Sequence, residues 1–366
     1  MEKRKIKYLL SIVIAVLFAI GCILTQGLLT QENPDATSMQ NTMKKDLYNG
    51  YGLEIGTQLS DQIVYESEEL VCYKDRVFRR FQYHVENADR VAAMAEGVLF
   101  RCPSIENVYV LPVPNNIFWE TGNVNEEKQY QQFLDRISGN LPSRASLINV
   151  LPVLQEHREE YIFFRTDDSW TAKGAYYGME EMCRVTGLKA IPLDQYEEYM
   201  YNSFTGSLAL QEEIRNIENL FIPGDRTYYY LLPGSDNRVE IMDTDSSGKT
   251  ICYKKPLITS SVADTGSFIA PVFTRAIVEG DTDNEKTKDS YILVVCDECG
   301  KMLVPYLKDY YDGVYVINIK EDDDFFTDIK QIVDAYHITE VVFSQNALKM
   351  GASGYYRALS DFCEKE

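Results

Sequence analysis

Two short polar turns hold the residues of this sequence whose types and spacing could do chemistry. The first, the aspartate turn, is Arg-Thr-Asp-Asp-Ser-Trp at 165–170 and follows the apolar run YIFF (161–164). The second, the cysteine turn, is Cys-Asp-Glu-Cys at 296–299 and follows the apolar run YILVV (291–295). Open α/β sheets place ligand sites at the carboxyl ends of their strands, and a helix is predicted after each turn. We therefore predict that these two turns build the functional site.

The aspartate turn has a structural interpretation as well as a functional one. The adjacent carboxylates of Asp167 and Asp168 are suited to acid–base chemistry or to ligand binding. Ser169 or Thr171 could instead cap the following helix, while Trp170 packs the turn onto the core. Composition alone favours the capping interpretation, and the sequence leaves both open.

The cysteine turn has the order of a nucleophile elbow, in which a buried strand runs into a tight turn and then a helix. The nucleophile position falls on Glu298, after Asp297. Glutamate is a nucleophile in glycoside hydrolysis when a second carboxylate faces it across the substrate, and Asp167 is the candidate partner. Cys296 and Cys299 also allow a thiol redox function, although the acidic residues between them raise thiol pKa values. Metal ligation would need a second cysteine pair, and none has the spacing.

Charge and histidine content restrict the classes of function. The chain has 36 basic and 56 acidic residues, a formal net charge of −20 and a pI of about 4.7. Such an acidic chain repels phosphate backbones, so nucleic acid is excluded as a main partner. The three histidines, His84, His157 and His337, all lie outside the two turns. We expect no metal ion and no cofactor, although clustered carboxylates would suit a divalent cation.

The amino-terminal sequence predicts a membrane anchor. Basic residues within 1–7 precede an uncharged, mostly apolar segment at 8–30, which is long enough to span a bilayer as one helix. Because basic residues stay on the cytoplasmic side, we expect the rest of the chain to be extracytoplasmic, at the cell membrane. A lipoprotein signal ending at Cys22 is the alternative, but the apolar run continues past it. A polar linker is predicted at 31–47, and the main domain at 48–366.

Beyond the linker, apolar patterns predict alternating strands and helices. Buried strands are predicted at 108–113, 161–164, 291–295, 314–319 and 340–345. Helices are predicted at 75–98, 127–138, 175–187, 301–311 and 328–337. The alternation in the carboxyl-terminal part is typical of a mainly parallel sheet covered on both faces, whereas 225–290 is less regular.

The aspartate turn and its surroundings resemble the DHHW family, SGNH-hydrolase-like proteins similar to the periplasmic alginate O-acetylation proteins. The hallmark of that family is Thr-Asp-His-His-Trp before a Gly-Ala-Tyr helix, and this chain has Thr-Asp-Asp-Ser-Trp followed by GAYYG (174–178). Further similar segments occur in the same order: VYVLPVPNN (108–116), FTGSL (204–208) and VVCDECGKMLVPYL (294–307). The resemblance implies an SGNH-hydrolase-like α/β/α sandwich with a mainly parallel sheet, here preceded by one transmembrane helix.

The resemblance also implies Ser-His-Asp acyl transfer, in which serine attacks an acetyl carbonyl, histidine accepts its proton and aspartate orients the imidazole. Carried over by position, Asp167 is the retained acid, Ser169 replaces the catalytic histidine and Glu298 replaces the serine. Asp168 replaces a non-catalytic histidine, and the family's Gly-Gly-Asn element has no match near 266–275. The residues expected to bind a ligand around these positions are Arg165, Asp168, Trp170 and Asp297.

Intact scaffold segments around a substituted triad predict a catalytically degenerate protein, a binding or accessory component linked to cell-envelope polysaccharide O-acetylation. The expected partners are that polysaccharide and, by resemblance, a membrane-bound O-acyltransferase. One alternative is an active acetylesterase, acetyltransferase or carboxylate-based hydrolase with an altered site. The other is a thiol redox protein that acts through Cys296 and Cys299.

Overall fold

The computed structural model describes residues 62–364, apart from 116, 121–123, 219, 221, 223, 245–249, 259–273, 281, 283–286, 288–289 and 320–328. All of the described residues lie within one compact unit, Thr57–Glu366. The predicted anchor at 8–30 and linker at 31–47 fall outside the described residues, as does the region near 266–270. Within the described part of the chain, every helix is too short or too polar to cross a bilayer.

The described residues form strands and helices that largely alternate along the chain. The strands are β1 (Ile63–Glu66), β2 (Leu70–Tyr73), β3 (Val77–Arg79), β4 (Asn107–Val113), β5 (Ala145–Leu147), β6 (Glu197–Phe204), β7 (Asp225–Leu231), β8 (Arg238–Thr244), β9 (Thr250–Pro256), β10 (Arg275–Glu279), β11 (Tyr291–Cys296), β12 (Gly313–Asn318) and β13 (Ile338–Asn346). The α-helices are α1 (Val85–Arg101), α2 (Ile117–Glu120), α3 (Val124–Asn140), α4 (Leu151–Glu156), α5 (Ala172–Thr186), α6 (Glu212–Arg215), α7 (Val304–Leu307), α8 (Ile329–Tyr336) and α9 (Ser353–Glu364). Short 3₁₀ turns occur at Leu193–Gln195 and Gly300–Leu303.

The central sheet has eight strands in the order β5-β4-β13-β11-β12-β10-β8-β9. The pairs from β5 to β12 are parallel, and those from β12 to β9 are antiparallel. The predicted α/β class is confirmed, but the sheet is mixed rather than mainly parallel. The sequence missed β8, β9 and β10 because these strands lack long apolar runs; β9, for example, is exposed along most of its length.

Both faces of this sheet are covered, as a buried parallel sheet requires. One apolar core joins one face of the sheet to α5, α7 and the 3₁₀ turn at Gly300–Leu303. A second core joins the opposite face to α1, α3 and α8. The strands that were predicted as buried apolar runs supply the middle of both cores, and this places the carboxyl ends of β11, β12 and β13 side by side.

The run 161–164 was predicted as a buried strand, and this prediction is wrong. Its one strand-like pair is an isolated bridge between Phe163 and Trp170. The backbone closes on itself instead, because Phe164 N donates to Ser169 O (3.1 Å) and Thr171 N donates to Ile162 O (2.9 Å). The run is therefore a tight loop rather than a strand, and the side chains of Ile162 and Phe163 are buried in the core on one face of the sheet.

Candidate functional site

The aspartate turn and the cysteine turn meet at the carboxyl end of the central strands, as predicted. The indole Nε1 of Trp170 donates to the carbonyl of Cys299 (2.8 Å). The side-chain amide of Asn346, at the end of β13, donates to the carbonyl of Asp168 (2.9 Å). Trp170 is fully buried, so its indole forms a buried hydrogen bond between the two turns.

The GAYYG segment at the start of α5 lets the helix approach the aspartate turn closely. A Cβ atom at Gly178 would lie 2.6 Å from the Trp170 ring, and one at Gly174 would lie 2.3 Å from the carbonyl of Ile162. Thr171 caps the helix, since its side chain accepts from Gly174 N. The capping interpretation is therefore confirmed for Thr171. Gly174 and Gly178 leave room for the close packing of the helix on the turn, which a larger residue would prevent.

A buried carboxylate that the sequence did not reveal holds the aspartate turn in shape. Asp225, on β7, is fully buried and accepts hydrogen bonds from Arg165 N (2.8 Å) and Thr166 N (2.8 Å). It also accepts from the hydroxyls of Tyr161 (2.5 Å) and Thr166. One carboxylate thus satisfies three donors of the aspartate turn and the hydroxyl of Tyr161, which precedes the turn. Its position, far along the chain in an irregular region, carries no local motif that would have indicated this role.

The FTGSL segment packs directly on the aspartate turn. Gly206 N donates to Thr166 Oγ1 (2.7 Å), and Ser207 N donates to Asp167 Oδ2 (2.8 Å). A Cβ atom at Gly206 would lie 2.4 Å from the Thr166 carbonyl and 2.6 Å from Asp167 Cβ. This contact places the carboxylate of Asp167 against the backbone of 206–208.

The cysteine turn is closed by its own aspartate. Asp297 Oδ1 accepts from the backbone N–H groups of Cys299 and Gly300 (both 3.0 Å), and Oδ2 accepts from Asn346 N (3.0 Å). Asp297 is buried, and this burial raises the pKa of its carboxyl. Two amides of the turn are therefore already occupied, as in a side-chain-closed turn.

Glu298, at the expected nucleophile position, is held in an ion pair. Its Oε2 lies 2.5 Å from Lys301 Nζ, and its Oε1 accepts from the amide of Asn318 (2.8 Å). The Glu298 side chain is 38% exposed, whereas that of Lys301 is 2% exposed. The buried ammonium compensates the carboxylate, which makes Glu298 an anchored anion rather than a free nucleophile.

The three triad positions have separate sets of partners. Asp167 bonds to Ser207 and Glu298 to Lys301, whereas the buried Ser169 lies beside Cys299, with which it makes a side-chain hydrogen bond. Within the described residues, none of these hydrogen bonds and ion pairs joins two of the three positions. Their assignment as triad positions stays a prediction. The geometry as it stands lacks the continuous acid–base–nucleophile chain that acyl transfer needs.

Charged groups nevertheless gather around the aspartate turn. Asp168 Oδ2 lies 3.3 Å from Arg79 Nε. Partial burial raises the pKa of Asp167 to about 6, and the negative charge of Asp168 adds to this rise. The Ser207 hydrogen bonds and Lys349 act in the opposite direction. Burial lowers the pKa of Lys349, but Asp297 and Asp168 outweigh it and raise that pKa.

The predicted binding residues differ in accessibility. Asp168 is half-buried and Arg165 contacts Asp225 through a 3.6 Å ion pair, whereas Trp170 and Asp297 are buried. A ligand that approaches the two turns would meet Asp168 and Glu298 before it met Trp170 or Asp297. The ligand-binding role of all four residues stays a prediction. The sequence did not indicate Arg79 or Lys349, because neither lies near a motif.

All three histidines of the chain lie away from the two turns. His84 is exposed at the N-cap of α1, and His337 is exposed with φ of 51° just before β13. His157 Nδ1 lies 2.7 Å from Glu160, and its ring stacks on Tyr177 with 3.7 Å between the ring centroids. His84 and His337 are therefore surface residues, and His157 is a half-buried residue with its own packing and hydrogen-bond partners.

The cysteines of the C-x-x-C segment are buried free thiols. Cys296 is fully buried and Cys299 is 2% exposed, and no disulfide joins them. Burial raises the pKa of both thiols well above the ordinary value, and Asp297 adds to the rise. No group of three or more histidine, cysteine or acidic side chains in the described residues is arranged to hold a metal ion.

Comparison with known proteins connects this geometry to a family. The sequence profile of the family described as "DHHW protein" matches residues 121–317. A DHHW family protein from Eubacterium siraeum has a similar structure, with a TM-score of 0.62 and 18% identity over 80% of this chain and 97% of that one. Bacillus cereus PatB1 with a sulfonyl adduct has a TM-score of 0.61 and 13% identity, over 78% and 97% of the two chains.

A third structure, the O-acetyltransferase domain of Pseudomonas putida AlgJ, has a TM-score of 0.44 and 11% identity, over 80% of this chain and 97% of that one. No curated protein sequence matches the chain. The two structures with TM-scores above 0.6 share the fold described above. Since the family profile covers more than half of the 366 residues, the chain belongs to the DHHW family.

Proposed function

We propose that this chain is a catalytically degenerate DHHW protein that binds cell-envelope polysaccharide as an accessory component of its O-acetylation. The observation that carries the proposal is the state of the triad positions. Asp167, Ser169 and Glu298 have the separate partners Ser207, Cys299 and Lys301, and no histidine is among these partners. A serine has no basicity near neutral pH, so Ser169 cannot replace a histidine as general base. Without a base and a free nucleophile, the remaining role for the site is binding.

The link to O-acetylation rests on family membership and on the sequence resemblance to the alginate O-acetylation proteins. We place the protein at the cell membrane, anchored by residues 8–30, with residues 48–366 outside the cytoplasm. A membrane-bound O-acyltransferase is the protein partner that this placement suits. The basic amino terminus and the apolar segment support the orientation.

Binding of polysaccharide by the full chain in detergent micelles tests the proposal. O-acetylated and de-acetylated cell-envelope polysaccharide are titrated into the protein in a calorimeter. We expect saturable binding that Glu298→Gln weakens at least about tenfold, the effect of about 1.4 kcal/mol lost from a charged contact. The matched control is Glu213→Gln, which changes an exposed glutamate on α6. The proposal fails if neither polysaccharide binds, or if both variants bind like the wild type.

A second candidate, an active carboxylate-based hydrolase, is favoured by one observation. A carboxyl pKa of about 6, as at Asp167, is in the range that general acids and bases use. Such an enzyme needs Glu298 free to act across the substrate, and its ion pair with Lys301 opposes this. Hydrolysis of aryl glycosides that Asp167→Asn and Glu298→Gln both abolish would favour this candidate over the first. The redox alternative is weakened by the burial of both thiols.

A further inference from the structure

An open cleft lies at the β5 edge of the central sheet, on elements other than the two turns. It has a volume of about 610 Å³, within the range of protein ligand sites. One wall comes from α3, through Leu134 and Ser138, and Val185 of α5 contributes to the opposite wall. The floor is β5 itself, with Ser146 and Leu147. The cleft therefore lies in the plane of the sheet, between the two helical layers that cover its faces.

The backbone of β5 offers hydrogen-bonding groups to this cleft. Val108 N donates to the carbonyl of Arg144 (2.9 Å), and Ile148 N donates to the carbonyl of Val110 (2.8 Å). Peptide groups of a strand alternate in direction, so the N–H of Leu147 and the carbonyls of Ala145 and Leu147 point away from β4. β5 is the terminal strand of the sheet in the described residues, and its outer edge is a template for another strand.

The side chains that line the cleft are apolar or neutral, with one exception. Leu134, Leu141 and Leu147 give it an apolar side. Among the described residues of the lining, Asp135 carries the only charge, and Gln131 donates to it (2.8 Å). An extended peptide with apolar side chains on one face and a lysine or arginine near Asp135 would complement this lining. The lining has no aromatic side chain of the kind that stacks on a sugar ring.

We propose that this cleft binds an extended, basic peptide segment of a partner protein, which adds to the sheet as a further strand beside β5. The position between the helical layers favours a strand over any other shape, because a strand continues the sheet and fills the space from wall to wall. Main-chain hydrogen bonds to Ala145 and Leu147 would supply affinity, and the apolar side and Asp135 would supply specificity. This inference does not depend on the proposed polysaccharide binding.

A blocked peptide of alternating valine and threonine with a lysine at each end is the probe, and fluorescence anisotropy with the full chain in detergent is the measurement. We expect binding with a dissociation constant below about 1 mM. Methylation of the alternate amide nitrogens on one edge of the peptide should weaken binding at least about tenfold, because it removes main-chain donors and leaves the side chains unchanged. Replacing the two lysines by glutamates should also weaken binding.

Two pairs of variants locate the binding. Leu147→Pro removes an N–H that points away from β4, and Leu147→Val retains it. Ser138→Trp fills the cleft, and Gln132→Trp changes an exposed residue of the same helix outside the lining. We expect Leu147→Pro and Ser138→Trp each to weaken peptide binding at least about tenfold. Leu147→Val shortens one side chain of the apolar side and should weaken binding less than about threefold, and Gln132→Trp should leave it unchanged.

Several outcomes would overturn the inference. No binding of the lysine peptide, or equal binding of its methylated form, would exclude strand addition. Cello- or chito-oligosaccharide binding that Ser138→Trp abolishes and Leu147→Pro spares would assign the cleft to a glycan. Self-association in sedimentation experiments that both variants abolish would assign it to a second copy of this chain.

Discussion

The carboxylate of Asp225 is the group through which the aspartate turn can be perturbed without changing a triad position. It is fully buried and accepts four hydrogen bonds, two from backbone N–H groups at 2.8 Å and two from hydroxyls. Asp225→Ala leaves these donors without their acceptor, and Asp225→Asn keeps the volume but turns an NH₂ group toward some of them. Both changes act mainly on the donors of the aspartate turn, so their effect on the free energy of unfolding depends on these few hydrogen bonds.

The magnitude follows from the number of donors. A hydrogen bond to a charged group contributes about 1.5–3 kcal/mol, and a buried donor left unsatisfied costs about 1–3 kcal/mol. The four effects are not additive, because water can enter the space that Ala leaves. We expect Asp225→Ala to lower the free energy of unfolding by about 3–5 kcal/mol and Asp225→Asn by about 2 kcal/mol. The larger value is a substantial part of the stability of an ordinary domain.

Urea denaturation of the full chain in detergent measures these free energies, and hydrogen exchange of the Arg165 and Thr166 amides reports the turn itself. Asp243→Asn is the matched control, since Asp243 is a half-buried carboxylate that accepts one bond from Tyr253 (2.7 Å). The control should change stability by less than about 1 kcal/mol. If Asp225→Ala stays within about 0.5 kcal/mol of the wild type, or if the two amides keep their protection, the reasoning is refuted.

Three more predictions concern residues in or beside the two turns, each compared with a residue elsewhere in the chain or with the wild type. Because the folded-state pKa of Asp167 is raised to about 6, its contribution to stability is lost as the pH rises from about 4 to 6. Asp167→Asn should therefore raise the free energy of unfolding by about 1–2 kcal/mol over wild type at pH 7.5 and by almost nothing at pH 4. Urea titrations at both pH values check this, and an equal effect at both would contradict it. N-ethylmaleimide with peptide mapping should label the exposed Cys252 in the native protein and the buried Cys296 and Cys299 after denaturation; native labelling of Cys299 at the rate of Cys252 would revive the redox hypothesis. Gly206→Ala should lower the free energy of unfolding by about 1–3 kcal/mol, because its Cβ would lie 2.4 Å from a carbonyl. Gly139→Ala has open space around it on α3 and should raise that free energy by about 0.5–1 kcal/mol. Unfolding curves that rank the two variants the other way would refute the packing argument.

Apolar periodicity predicted the elements that a buried sheet and its helices need. The strands near 108–113, 291–295, 314–319 and 340–345 and the helix near 127–138 lie within a few residues of their observed bounds. The helix predicted at 75–98 begins at Val85, because 77–79 pair as β3. These elements were predictable because burial on both faces demands continuous apolar runs. The run 161–164 met the same pattern but is a buried loop, which periodicity cannot distinguish from a strand.

The meeting of the two turns was predictable, and the groups that set their chemistry were not. Glu298 follows β11, so its position at the carboxyl edge of the sheet followed from topology. Asp168 lies in a loop rather than at the end of a strand, and only the family resemblance implied that it lies near this edge. The roles of Asp225, Lys301 and Lys349 depend on their burial and on their hydrogen-bond and charge partners. The sequence pattern reveals neither the burial nor the partners. Asp225 lies 60 residues after Arg165, whose backbone N–H donates to it, and reaches it only through the fold.

Acetate release is the measurement that tests the central claim, loss of acyl-transfer catalysis, most directly. The purified full chain is incubated with O-acetylated cell-envelope polysaccharide, and free acetate is quantified beside the Asp167→Ala variant and a protein-free sample. The triad positions lack a base, and Glu298 is held in an ion pair with Lys301. We therefore predict acetate release equal to the protein-free rate in both proteins. Acetate release by the wild type that Asp167→Ala abolishes would contradict the account.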